Sequence, residues 1–355
     1  MCLRLVGSEM CIRDRRSLFP ILESTVYLNT AYVGPISKEL FNYRKKIDNQ
    51  FLNNGDKFKM DSLEKINLYS KTISTFINAK QENTFFTVNF STGFRYILDL
   101  IPKNSLILTM KDDYDSLLDG LRERDFKVDY VDMTTNFEIE IEKQLKKKSY
   151  AVLALSVVQF LSGIKIDFEK LQNIKNANPN LLIIGDTTQF VGSDFFDFNS
   201  SPFDVVVGSG YKWLLAGFGN AYISVTDNFF DKTNSSKELL HKKVYSGHVN
   251  YLGAASLDFA IKFLQKNNFN LLIKKKKKLS GFLRNELDKL GLIQPIVKER
   301  NLHSDIFNIP ANKKTYEGLL KNRIRCALRG NGVRVSVHFY NNKDDVEKLI
   351  KFFKN

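Results

Sequence analysis

Residues Leu181 to Leu215 read LLIIGDTTQFVGSDFFDFNSSPFDVVVGSGYKWLL. An apolar run ends at Asp186, a polar turn carries Gln189, and a second apolar run, Val205 to Val207, opens into Ser209, Tyr211, Lys212 and Trp213. Both runs have strand length and β-branched residues. Each delivers polar groups just past its C-terminal end, which is where open α/β sheets place their ligand sites.

A lysine and a carboxylate at two such tips suit the chemistry of pyridoxal 5′-phosphate (PLP). That chemistry needs an amine to form a Schiff base with the aldehyde, and a carboxylate that keeps the pyridine nitrogen protonated so the ring can take up electrons. Lys212 and Asp186 are the candidates for these roles. Gln189, three residues after Asp186, is a candidate donor to the ring O3′, and Ser209, three before the lysine, a candidate phosphate contact. Singly, a lysine in this lysine-rich chain reads as surface charge and an aspartate as a strand-end cap; information comes from the constellation. It stands as Asp186-Thr-Thr-Gln189, Gly192 and Ser209-Gly-Tyr211-Lys212-Trp213. This resembles the lysine region of the class V aminotransferase and cysteine desulfurase family of fold type I PLP enzymes, whose pattern is D-x-x-Q, a Gly with an acidic segment, then S-x-[HY]-K and an apolar residue.

The resemblance extends from about Val26 to the C-terminus. Val26 to Pro35, VYLNTAYVGP, is a short strand and a Gly-Pro turn. It resembles the family's opening element over the active site, which makes Asn29, Thr30 and Ala31 candidate substrate contacts. Helical patterns follow over about 37–52 and 61–77, separated by Asn53-Asn54-Gly55. TFFTVNFSTG, Thr84 to Gly93, then runs into an apolar helix. Unpaired N–H groups at a helix start, with a glycine allowing close approach, make an anion cradle. In the resembled family this turn holds the cofactor phosphate, which nominates Ser91, Thr92 and Gly93. The loop after the strand Ser105 to Met110 nominates Tyr114 to stack on the pyridine ring, the alternative being a core residue at a helix start.

Strands at 127–132 and 150–156 alternate with helices at 137–147 and 167–177. This alternation predicts an α/β fold with a mostly parallel sheet wrapped by helices. Ser156-Val-Val-Gln159-Phe160-Leu-Ser162-Gly163 resembles the family's loop beside the ring O3′; Phe160-Leu161 stands where cysteine desulfurases carry an Asn pair, leaving Gln159 as the available polar group. A strand over 217–225 is expected to run antiparallel and close the sheet. Tyr245-Ser-Gly-His248 resembles the loop that reaches a neighbouring subunit's phosphate, so His248 reads either as that contact, in a homodimer, or as a surface residue. A long helical region over 257–290 precedes a tail that alternates strands and helices. There Val333-Arg-Val-Ser-Val-His-Phe-Tyr-Asn341 resembles the family's ending. Arg334 matches its carboxylate-binding arginine, a planar guanidinium being suited to a carboxylate; Arg329 is a second candidate cation. The family's architecture implies a segment over 16–50 that covers the active site, a large PLP-binding domain over 51–255 and a small α+β domain over 256–355.

Composition narrows the classes. With 355 residues and 43% hydrophobic content the chain has room for two domains and a core. No run approaches the roughly eighteen apolar residues of a membrane span. LVGSEMCIRD, from Leu5 to Asp14, resembles the translation of a transposase adapter, so residues 1–15 are expected to lie outside the fold. Setting them aside leaves Cys326 as the one thiol, which fits a reducing cytoplasm. The four histidines lack metal-ligand spacing. The net charge of +14 could suggest nucleic acid, but the lysines are dispersed. Even the run Lys274 to Lys278, on a helix, sweeps all round its axis and forms no stripe. The expectation is a homodimeric PLP enzyme acting on a small amino-acid or amine substrate. Transamination is its first reading; desulfuration, which needs a mobile nucleophilic Cys, is set behind it because Cys326 lies in an apparent strand. An epimerase, lyase or hydrolase on the same fold stays open, as does a non-catalytic protein binding anionic partners through a basic surface.

Overall fold

The computed structural model describes residues 16–354; the expectation about residues 1–15 lies outside them. Seven strands form the central sheet: β2 (Thr84–Thr87), β3 (Leu106–Met110), β4 (Lys127–Val131), β5 (Val152–Ser156), β6 (Leu182–Asp186), β7 (Val205–Ser209) and β8 (Ala221–Val225). Their spatial order is β2-β8-β7-β6-β5-β3-β4. From β7 across to β4 every pairing is parallel, while β8 runs antiparallel between β7 and β2. The predicted antiparallel strand is thus present but interior, with β2 outside it. Residues 205–207 are wholly buried valines, as expected where helices cover both faces of a sheet.

Register decides what meets at the C-terminal tips. Ser156 lies opposite Asp186, and Asp186 opposite Val207, so the ends of β5, β6 and β7 are level. Chain order reverses between β3 and β5, the position at which such sheets open a crevice.

Helices end where their caps and breakers place them. Ser37 accepts a hydrogen bond from Leu40 N at 3.0 Å and starts the helix Lys38–Phe76. The two helices expected around Asn53-Asn54-Gly55 meet at Gly55, whose φ of +49° and ψ of −116° are not helical and kink the run between them, so the expected break is present. Position 50 falls inside the first of the two. The long helical region divides as well, into Tyr251–Lys266 and Phe269–Lys289, at Asn268 with φ +56°.

A second sheet, in order β11-β12-β9, consists of β9 (Ile306–Pro310), β11 (Ala327–Arg329) and β12 (Gly332–Ser336), all antiparallel. The apparent strand that holds Cys326 is split at that residue: β10 (Ile324–Arg325) pairs with the N-terminal β1 (Val26–Tyr27), and β11 with β12. That split brings the N-terminal segment against the C-terminal sheet, and Asn29 bridges Ser336. Among the described residues no helix is long and apolar enough to cross a membrane.

Candidate active site

The tips of β5, β6 and β7 meet the helix Phe90–Leu98 at a recess of about 80 Å³. Asn89, Phe90, Ser91, Tyr114, Ser156, Phe160, Asp186, Thr188, Gln189, Ser209, Tyr211 and Lys212 line it. Larger clefts lie elsewhere, but none of them is lined by a buried lysine.

Asp186 and Lys212, 6% and 8% exposed, set the electrostatics. Burial pushes the Asp186 carboxyl up, opposed by hydrogen bonds from Thr188, whose N–H donates at 2.8 Å, and by the charge of Lys212. Burial pulls the Lys212 amine down; Asp186 opposes this, and Arg334 and Arg329 add to it. The amine makes no hydrogen bond among the described residues. It stands 5.7 Å from the Tyr114 ring centroid and 5.4 Å from that of Tyr211. A buried amine with a lowered pKa and no hydrogen bond holding it is equipped for nucleophilic and base chemistry.

The anion side is built at the helix start. Asn89 caps this helix, accepting from Thr92 N at 2.8 Å, and Ser209 Oγ accepts from Phe90 N at 2.9 Å. Ser209 keeps its own hydroxyl proton to give. Of the predicted cradle residues, only Ser91 reaches the recess, beside Asn89 and Phe90. Ser91 lines the recess, its hydroxyl accepting from Ser116 at 2.6 Å, whereas Thr92 N is taken by the cap. Gly93 faces the sheet, where an added Cβ would lie 2.9 Å from Thr87 Cγ2 and 3.0 Å from Val207 Cγ1; helix-to-sheet packing is what calls for glycine there.

Other expected contacts divide in the same way. Gln159 does not line the recess: its Oε1 accepts from Leu161 N and Ser162 N, and its Nε2 donates to Asp112 O, so it pins its own loop. Phe160 takes the place at the wall, its ring 5.9 Å from that of Tyr114. Gln189 lines the recess while its amide bridges Ala31 O and Trp213 Nε1. Thr30 turns into the core and shares a hydrogen bond with Tyr340. Ala31 is tied through its N–H to Ser336 Oγ at 2.9 Å. Asn29 Oδ1 and Arg334 Nε are both buried without a hydrogen-bond partner, while Arg334 Nη1 holds Phe160 O at 2.7 Å. Arg329 lies over the Tyr32 ring at 5.1 Å. His248 is exposed beside Phe51, Phe58 and Tyr251, away from the recess of its own chain.

Sequence reading passed over Asn89, Ser156 and Thr188. Asn89 was legible as an N-cap just before an apolar helix. Ser156 owes its place to Asp113, a buried carboxylate that accepts from Ser156 N at 2.8 Å and from Tyr114 N at 2.6 Å. Only the sheet register brings that pair together.

These residues fit PLP: a buried free amine, a buried carboxylate, and a hydroxyl at a helix start, around a recess walled by aromatic rings. Solved structures of PLP enzymes have the same fold. A lysine variant of C-DES with glycine covalently linked to its PLP cofactor matches with a TM-score of 0.85 at 14% identity, over 96% of this chain and 99% of that one. A cysteine desulfurase from Thermococcus onnurineus matches at 0.79 and 18%, over 98% and 97%. Curated relatives include probable cysteine desulfurases of Ureaplasma parvum, 22% identical with 97% of each chain covered, and of Pyrococcus abyssi, 22% identical with 95% of each covered. The family model for class V aminotransferases matches residues 33–349. With that match over most of its length, and with a lysine and a carboxylate buried together at the strand tips, the chain belongs to the class V aminotransferase family of fold type I, PLP-dependent enzymes.

Proposed function

We propose that this protein cleaves a carbon–sulfur bond of an amino acid by elimination, with Lys212 as the base and Arg334 as the carboxylate anchor. The observation that carries the reading is the Lys212 amine, buried, free of hydrogen bonds and lowered in pKa beside Asp186. Bound PLP supplies an aldehyde for amines to condense with and a ring that takes up an electron pair. The chain's residues do the rest. Arg334, with Nε unpaired, would hold the substrate carboxylate; Asp186 would keep the ring nitrogen's proton; Tyr114 would wall the ring; Ser209, Ser91 and the Phe90–Leu98 helix start would receive the phosphate. Lys212 takes the Cα proton, the Cβ–S bond breaks, and sulfur departs with the electron pair.

Cys326 separates this from transfer of sulfur to the protein. It is the one thiol among the described residues, 4% exposed in the core of the C-terminal sheet, and burial pushes it up to about 12. A neutral thiol in an apolar core is a poor nucleophile. The relatives are named as cysteine desulfurases, and a further structural neighbour as the cystine C–S lyase C-DES with its product cysteine persulfide. Those names favour sulfur chemistry over the transamination that the sequence pattern first suggested. We also propose a homodimer in which His248 approaches the partner's phosphate site.

The test is to purify the protein with PLP and give it cysteine and cystine. Wild type is expected to show a cofactor band near roughly 400–430 nm that borohydride fixes to Lys212. Lys212→Ala should lack the fixation. Pyruvate with ammonia marks elimination, alanine marks desulfuration, and a keto acid formed only with an amino acceptor marks transamination. Either of the last two outcomes would displace the elimination reading.

A further inference from the structure

Lys276 is a buried lysine, 1% exposed, in a run whose other members are exposed or half-buried. Sequence reading treats the whole run as solvated, so this residue needs its own account. Its ammonium donates to the Asp305 carboxylate, to the Ser193 carbonyl and, at 2.8 Å, to Ser193 Oγ. Ser193 Oγ in turn donates to Asp305 at 3.0 Å, closing a three-membered polar cluster. The ammonium also lies 5.1 Å from the centroid of the Trp213 ring, a distance at which a cation is attracted to an indole face.

Trp213 follows Lys212 in the chain and has no exposed surface. Its Nε1–H donates to Gln189 Oε1 at 2.8 Å, its ring stacks on His338 at 5.5 Å, and its carbonyl accepts from His338 Nε2 at 3.1 Å. Gly192, next to Ser193, packs against the same main chain, where an added Cβ would lie 2.8 Å from the Trp213 carbonyl carbon. The Lys212 side chain has no hydrogen bond of its own, so its direction depends on how this main chain is held. Stability gives no reason for an ion pair here, because buried pairs replaced by apolar residues are often no less stable.

We propose that Lys276 is a positioning residue for Lys212: held by Asp305 and Ser193, its ammonium fixes the Trp213 indole and thereby the main chain from which the Lys212 amine enters the recess. The kinetic part rests on the proposed function; the conformational part does not.

Trp213 is the only tryptophan in the chain, so its fluorescence reports on this clamp alone. The variant to make is Lys276→Met with Asp305→Asn, which removes both charges and leaves neither unpaired. The control is Lys175→Met with Asp204→Asn, the same change to a partly buried pair whose recorded contacts do not include Trp213. In cofactor-free protein whose far-UV circular dichroism matches wild type, acrylamide quenching of Trp213 should rise at least about twofold in the first variant, reflecting local opening, and stay at wild type in the control. With PLP and substrate, kcat should fall about tenfold to a hundredfold with KM within about twofold, as expected when a reacting group is misplaced but binding is kept. Ser193→Ala, which keeps every charge, should move both readouts the same way by less, and it decides the question if the double variant does not fold. Wild-type quenching in the folded variants, or an equal rise in the control, would overturn the proposal. Failure to bind PLP would sink the proposed function and leave the quenching comparison to decide this one.

Discussion

At the residue scale, Asp186 is a buried carboxyl whose charged form is disfavoured in the cofactor-free protein. Its carboxyl is pushed up by burial, so the folded chain binds that proton more tightly than the unfolded one. The associated stabilisation is complete below the ~4 of an unfolded aspartate and is lost as pH rises through the raised native value. Cofactor-free Asp186→Asn should therefore melt above wild type near about pH 7.5, the gap closing as pH falls toward about 4. Its kcat should drop on the order of a hundredfold or more, since a neutral amide cannot hold the ring nitrogen's proton as a carboxylate does. A variant no more stable than wild type at the higher pH would show that ionised Asp186 is not strained. Such residue identities were legible because Asp186, Ser209 and Lys212 lie at the ends of unmistakable apolar runs. Gln159 misled because its amide is claimed by its own loop, a matter of a few backbone N–H groups that spacing does not reveal.

At the element scale, the segment Asn29 to Pro35 straps the site loop. Gly34 N donates to Tyr211 O at 2.9 Å, and Ala31 O accepts from Gln189 at 2.9 Å. A Cβ on Gly34 would lie 2.2 Å from Lys212 O and 2.6 Å from Leu215 Cδ2, so backbone would have to move. Gly34→Ala should cost about 1–3 kcal/mol in urea unfolding, the usual penalty of overpacking, and lower kcat/KM. Wild-type values in both assays would mean that the strap is slack. Turn glycines were readable from the sequence, and Gly55 breaks one helix from the next as its spacing predicts; the reason for Gly93, close packing against Thr87 and Val207, was not readable.

On the scale of the whole molecule, the long helix leaves Phe51, Leu52, Met60 and Leu63 exposed, the most exposed being Leu52 at 81%. His248 lies against the same surface. Phe51 and Leu63 share a surface pocket with it, and exposed apolar side chains grouped in this way suit an interface. Sedimentation should give twice the chain mass for wild type and the chain mass for Leu52→Glu with Leu63→Glu, with activity lost alongside. A monomeric wild type that is fully active would remove both the dimer and the role of His248.

The sequence by itself determined the cofactor and the alternation of strands and helices that builds the central sheet, because strand and helix periodicity are local and the D-x-x-Q and S-x-Y-K stretches are short. It also determined the family. Tertiary structure alone decided which polar groups stay free to act. Thr30 is spent on Tyr340, Gln159 on its loop and Lys276 on Asp305, while Lys212 and Arg334 Nε are left unpaired. The partner can lie in the same loop, as for Gln159, or 310 residues away, as for Thr30, and only register and packing decide which groups meet.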